Sequence, residues 1–256
     1  MITANKRLGQ HFLKNESILD KIVDLLDPNL KVVEVGAGSG YLTQILAQKF
    51  KKIIAIEKDE RFKVDLDKIK NTQSIIGDIT ELDLDKITSD AYQAVGNLPY
   101  YLEKKIIHLF FKLRHSPQKM VFLIQREVAE ELCQADFTLF SVSVKFYCKP
   151  KCGFIIKKGS FSPMPKVDGR MVILENINYP LPFGLQRKKI EKDFFRLLHF
   201  GFSSPRKKLF NNLVNGLKIE KQTLQKILIR AKIESGIRAQ NMDLEKWLKL
   251  YKNLPH

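Results

Sequence analysis

The residues best suited to chemistry on a nitrogen atom are Asn97-Leu98-Pro99-Tyr100. Just before them, Tyr92-Gln93-Ala94-Val95-Gly96 predicts a strand, which puts the tetrapeptide at a strand's carboxyl end, where open α/β sheets bind ligands. A proline-fixed turn there presents the Asn97 amide oxygen beside a backbone carbonyl near Leu98 or Pro99, with the Tyr100 ring adjoining. Such a set accepts two hydrogen bonds from an exocyclic amine while the ring stacks on the base that carries it. An ordinary turn uses the same residue types; the place at a strand end favours a site.

Positioning these groups requires a sheet, and its anchor is Lys31-Val-Val-Glu-Val-Gly-Ala-Gly-Ser-Gly40. Val32, Val33 and Val35 predict a buried parallel strand. Gly36, Gly38 and Gly40 follow at alternate positions, and Leu42, Ile45 and Leu46 then repeat at helical spacing. A strand that breaks into glycines and resumes as a helix lets backbone approach a nucleotide closely. The dinucleotide fingerprint Gly-x-Gly-x-x-Gly is not met, because Tyr41 stands where its third glycine belongs. Glu34, just ahead of the loop, suits a ligand with an ammonium group rather than a pyrophosphate. The next strand, Ile53-Ile54-Ala55-Ile56, ends in Glu57, placed where an acid meets ribose hydroxyls. A third, Ser74-Ile75-Ile76, leads to Gly77-Asp78, whose carboxylate can accept from an adenine amino group.

Composition bounds the alternatives. The 256 residues suffice for one large core plus a small second domain. The net charge is +16, and +11 of it falls in residues 176–256, as expected for a part that meets a polyanion. No apolar run approaches the ~18 residues of a membrane span. Lys6, Arg7, Gln10 and His11 interrupt any signal-peptide core, so a cytoplasmic protein is expected. Cys133, Cys148 and Cys152 are odd in number and widely spaced, which predicts reduced packing thiols and no metal site.

Helices are predicted over Glu16–Leu26, Arg61–Ile69, Lys104–Leu113 and Gln125–Leu132, and strands over Met120–Ile124, Leu139–Cys148, Phe154–Ile156 and Met171–Leu174. The acidic segment 81–90 is expected to be solvated surface. Phe161 to Asp168 is a stiff, proline-rich loop with an exposed-looking Phe161 behind Lys157 and Lys158. The alternation predicts an α/β fold, a mainly parallel sheet with helices on both faces. A linker at 176–185 then leads to an all-helical remainder (187–200, 205–214, 221–231 and 243–250) that carries the basic cluster Arg206-Lys207-Lys208. The division expected is 1–178 and 179–256. With no heptad pattern, a monomer is expected.

Taken together, these motifs resemble the ribosomal RNA adenine N6,N6-dimethyltransferase family, specifically its small-subunit members, over nearly the whole chain. The resemblance implies a Rossmann-like class I methyltransferase sheet followed by a small basic helical RNA-binding domain. It implies S-adenosylmethionine as cofactor and 16S rRNA of the small ribosomal subunit as substrate, two adjacent adenosines of the 3′-terminal hairpin loop being dimethylated at N6 during ribosome biogenesis. Gly9-Gln10-His11-Phe12-Leu13 is similar to the family's cofactor arm, implicating Gln10, His11 and Leu13. Glu34, Gly36 and Gly38 match its methionine loop, Glu57 with Lys58 its ribose acid, and Gly77, Asp78 and Ile79 its adenine site. Asn97, Leu98, Pro99 and Tyr100 match the catalytic motif, with Asn97 also facing cofactor and Phe161 sandwiching the target base with Tyr100. Gln125 to Ala129 and the closing Arg238 to Leu250 also resemble family signatures. RNA contacts are implied for Lys157, Lys158, Arg206, Lys207 and Lys208, and neither metal, membrane nor DNA is expected. The chain departs from the family pattern at Ala135–Thr138, Lys157–Ser160 and Gly169-Arg170, all toward RNA. Alternatives are a large-subunit adenine methylase of the antibiotic-resistance type, a DNA adenine methylase and a non-catalytic ribosome-assembly factor.

Overall fold

A computed structural model describes the chain apart from residues 1, 2, 6, 7, 89, 90, 135, 136, 176 and 256, so Ala135 and Asp136 of the departing segment lie outside the described residues. The chain forms two compact units. One is Met1–Glu130 with Lys149–Ile177, the other Glu131–Cys148 with Asn178–His256. The division read from the sequence at 178/179 therefore differs at 131–148, which group with the helical unit.

In the first unit the valine run forms β2 (Lys31–Val35), following a short β1 (Phe12–Leu13) and helix α1 (Glu16–Val23). Next come α2 (Tyr41–Lys49), β3 (Ile53–Glu57), α3 (Lys63–Leu66), β4 (Thr72–Ile76), α4 (Leu84–Ile87), β5 (Tyr92–Asn97), α5 (Glu103–Lys112), β6 (Lys119–Gln125) and α6 (Arg126–Cys133), which belongs to this unit through Glu130. The seven-stranded sheet has the order β4-β3-β2-β5-β6-β9-β7, with β7 (Lys149–Ile156) and β9 (Gly169–Glu175). Neighbours from β4 through β6 pair in parallel, and β9 is antiparallel to both β6 and β7. Strands covered on both faces read as continuous apolar runs, and all five residues of β3 are buried. Leu19, Ile22 and Val23 of α1 and Leu42 and Leu46 of α2 pack with Val32, Ile53, Val95 and Leu123. Side chains alternate along a strand, so Phe122 of β6 points the other way, to Phe110 of α5 with ring centroids 5.9 Å apart. The predicted acidic surface segment includes α4, whose Leu84 is buried.

The second unit contains α7 (Leu139–Tyr147), α8 (Arg187–Gly201), α9 (Leu209–Leu217), α10 (Lys221–Arg230) and α11 (Leu244–Asn253). The prediction of a strand over Leu139–Cys148 is corrected: nine of those residues are helical. Ser141, Val142, Ser143 and Val144 are all buried, so the helix is enclosed nearly all round and the usual apolar stripe is absent. A capping box starts it, with Thr138 Oγ1 accepting from Ser141 N at 3.1 Å and Ser141 Oγ accepting from Thr138 N at 2.9 Å. Phe146 stacks on Phe194 of α8 at 4.9 Å, and Trp247 of α11 is fully buried. Of the three cysteines only Cys148 is a free, buried thiol; Cys133 and Cys152 are disulfide-bonded, against the expectation of three reduced thiols. Among the described residues no helix is long and apolar enough to cross a membrane.

Candidate active site

The carboxyl ends of β2, β3, β4 and β5, together with the segment Leu8–Leu13, surround one cavity. Gln10, His11, Leu13, Glu34, Gly36, Gly38, Glu57, Lys58, Gly77, Asp78, Ile79 and Asn97 all line it, as do Leu98, Pro99 and Tyr100. Residues far apart in the chain meet because parallel strands end on one edge, and β2 and β5, paired side by side, leave a crevice between the segments that follow them.

The floor is the glycine loop. Gly36 N donates to Ile56 O at 2.8 Å and Gly38 N to Glu57 Oε2 at 2.8 Å, fastening the loop to the end of β3. Gly38 has φ +51°, and a Cβ there would lie 3.1 Å from the Phe12 ring, so both conformation and space call for glycine. Glu34 is buried, and its Oε2 accepts from Thr43 Oγ1 at 2.6 Å. Burial pushes its pKa up to about 7, against the Thr43 hydrogen bond and with help from the charge of Glu57. A buried carboxyl in that state fits a cationic group, whose arrival offsets the cost of desolvation.

Three more acids line or back the wall. Glu57 is also raised by burial, while Asp59 N at 2.8 Å and Gly38 N hold its carboxylate in place. Asp59 is fixed by Arg61, whose Nη2 donates to Oδ2 at 2.6 Å, and its pKa falls to about 2 mainly through that guanidinium. Asp78 accepts from Lys58 Nζ at 2.8 Å and from Thr80 N at 2.8 Å, and Lys58 holds its pKa down at about 2. Gly77, Asp78 and Ile79 thus form a rigid corner at the end of β4.

The catalytic candidate lies at the end of β5. Asn97 Nδ2 donates to His11 O at 2.8 Å; a carbonyl only accepts, so the amide's NH2 side must face it and Oδ1 remains as an acceptor. Pro99 O accepts from Leu102 N at 2.8 Å, opening a 3₁₀ turn over Tyr100–Leu102, which leaves the Leu98 carbonyl as the backbone acceptor of the motif. The Tyr100 hydroxyl is buried without a partner among the described residues, and burial raises its pKa to about 12. Glu103, at the start of α5, accepts from Gln125 N at 2.6 Å, and burial moves it to about 7.

The arm is bound at every step. Gln10 Nε2 donates to Asp59 Oδ2 at 2.9 Å, and His11 Nδ1–H donates to Pro163 O at 2.7 Å. β1 pairs antiparallel with β8 (Phe161–Ser162). That pairing overturns the expectation of an exposed Phe161. Opposite Leu13, the ring turns into the core with Leu123 and Met171, is 5% exposed and does not line the cavity. Lys157, Lys158, Arg206, Lys207 and Lys208 are exposed, with Lys157 paired to Asp168 at 3.1 Å. Sequence reasoning missed Thr43, Asp59, Arg61 and Pro163. Asp59, two residues past Glu57, was within reach of the strand-end argument; the Pro163 carbonyl, being backbone, leaves no trace in residue types.

The family model for ribosomal RNA adenine dimethylase matches residues 1–255. A curated relative, ribosomal RNA small subunit methyltransferase A of Dehalococcoides mccartyi, is 35% identical over 96% of this chain and 87% of its own length. Among solved structures, a dimethyladenosine transferase from Plasmodium falciparum superposes with TM-score 0.78 at 24% identity, covering 95% of this chain and 98% of that one. The 23S rRNA methyltransferase ErmE does so with TM-score 0.75 at 21% identity, covering 95% and 99%. At these identities the two structures show the fold alone, a class I methyltransferase sheet. The family rests on the sequence match, which runs nearly end to end: this chain belongs to the ribosomal RNA adenine dimethylase family.

Proposed function

We propose that this protein uses S-adenosylmethionine to dimethylate N6 of two adjacent adenosines in the 3′-terminal hairpin loop of small-subunit (16S) rRNA, acting in the cytoplasm as a monomer during ribosome assembly. The observation that carries the proposal is the Asn97 amide, oriented by the His11 carbonyl at 2.8 Å at the edge of an acid-lined cavity. The residues fit the cofactor: Glu34 takes the ammonium, Glu57 the ribose hydroxyls, and Asp78 with Ile79 the adenine. Bound there, the cofactor supplies an activated methyl group on a sulfonium.

The chain's own part is orientation. Adenine N6 is a poor nucleophile because its lone pair is delocalised into the ring. Asn97 Oδ1 and the Leu98 carbonyl accept the two N6 hydrogens, which favours a pyramidal nitrogen with its lone pair turned toward the cofactor. Tyr100 stacks on the swung-out base. Phe161, buried behind β1, supports the arm in place of a second stacking ring. Positioning then supplies most of the rate. Residues 179–256, with Arg206, Lys207 and Lys208, grip phosphates, and Lys157 and Lys158 serve the same end beside the proline loop.

The test is incubation with labelled cofactor and, separately, unmethylated small and large ribosomal subunits, followed by nucleoside analysis. Dimethyladenosine in small-subunit RNA alone is expected. Label in the large subunit, or tight subunit binding without label, overturns the assignment. Asn97→Ala should abolish transfer while weakening cofactor by no more than about tenfold, the worth of one hydrogen bond to the arm.

A further inference from the structure

Consecutive aromatic residues diverge at the end of β5: Tyr100 buries its hydroxyl, whereas Tyr101 is 59% exposed and still lines the cavity. An exposed ring that also lines a cavity stands at its mouth. Three things surround this one. On the arm side, Gly9 approaches so closely that a Cβ there would lie 3.4 Å from Tyr101 Cε1, and Gly9 has φ +64°, so any other residue is strained as well as crowded. Pro99 Cβ would lie 4.0 Å from that same added atom. On the cavity side, the ring shares the lining with Lys58, whose ammonium pairs with Asp78 at 2.8 Å. The ring therefore stands between the arm and the cavity that Gly77, Asp78 and Ile79 of the β4 corner also line.

We propose that Tyr101 is a cofactor-binding residue: its ring closes the adenine end of the cavity by stacking on the cofactor's adenine, and Gly9 is the hinge-side rest against which the ring is held. The inference deepens the cofactor assignment made above and rests on it. A purine also arrives with the RNA, and the same ring chemistry suits either source. The cavity that the ring lines together with Lys58, Gly77, Asp78 and Ile79 selects the cofactor. An exposed phenol contributes little to folding, so its replacement leaves the protein intact.

Calorimetric titration of wild type, Tyr101→Ala and Tyr101→Phe with S-adenosylmethionine, S-adenosylhomocysteine and adenosine alone tests this directly. Tyr101→Ala is expected to weaken all three by a similar factor, about 5- to 150-fold, the usual worth of one base–aromatic stack. Tyr101→Phe should bind like wild type, and the KM for ribosomal subunits at saturating cofactor should not move. An unchanged cofactor Kd in Tyr101→Ala overturns the proposal, and a raised subunit KM beside it reassigns the ring to RNA. Weakened S-adenosylmethionine with unchanged adenosine also overturns it, since the ring then acts elsewhere than at adenine. Wild type that binds none of the three refutes the cofactor assignment itself, an outcome distinct from failure at Tyr101 alone.

Discussion

At the scale of single residues, the site is governed by how its acids are held. Burial lifts Glu34 to about 7, and in the cofactor role proposed for it an incoming ammonium needs the carboxylate. Below pH 7 that proton must leave before binding, so cofactor Kd should rise about tenfold per unit between pH 6 and 5. Calorimetry across this range checks it, and Glu34→Gln should bind weakly with a flat profile. The same carboxyl bears on stability. Glu34 and Glu103 both sit at about 7 when folded, above their ordinary 4.5, so the folded state holds more protons than the unfolded. Their contribution is fully present below pH 4.5 and is lost as pH rises through 7. Asp59 and Asp78, depressed to about 2, act with the opposite sign but only below their ordinary 3.8. His108, pushed down to about 4 by burial, opposes the glutamates below its ordinary 6.5. Two glutamates outweigh one histidine between pH 5 and 8, and the ligand-free protein should melt at a lower temperature at pH 8 than at about pH 5.5.

At the scale of elements, what could be read in advance depended on how many faces an element buries. β2 and β3 were plain because a strand covered on both sides has nowhere for a polar residue, and Glu34 within β2 stood out for that reason. α7 defeats the same logic. Val142, Val144 and Phe146 alternate with Ser141, Ser143 and Lys145, a period of two, yet in an enclosed helix the small serines simply fill the tighter sides. Ser143 satisfies its own hydroxyl on Phe140 O at 2.7 Å. The deciding signal was the cap, Thr138 with Ser141 three residues on. Thr138→Ala should cost about 1 kcal/mol in urea unfolding. The lining of the cavity was largely legible because its residues are strand-end acids and glycines; the burial of Phe161 was not, since the pairing that turns it inward joins residues about 150 positions apart, as Leu13 with Phe161.

At the scale of the whole molecule, charge asymmetry is the dominant property. Residues 176–256 carry +11 of the +16, so association with subunits should fall steeply with salt. Replacing Arg206, Lys207 and Lys208 by alanine should lower the slope of log K against log salt by about 0.7–0.9 for each phosphate no longer neutralised. Filter binding over a range of potassium chloride measures this, with cofactor Kd as a control that should stay fixed.

The pairing of β1 with β8 has a kinetic consequence. A strand of two residues, bound on one side to the proline loop and through His11 to Asn97, is short enough to unzip while the sheet beneath stays folded. Two methyl groups on one nitrogen require two cofactor molecules but a single visit by the RNA, provided the spent molecule leaves first. The ratio of singly to doubly methylated product is then a race between the unzipping of β1 and the departure of RNA. His11→Gly, which frees one end of the arm, should tilt that race toward the doubly methylated base at low enzyme, and a pulse-chase of labelled cofactor would time it.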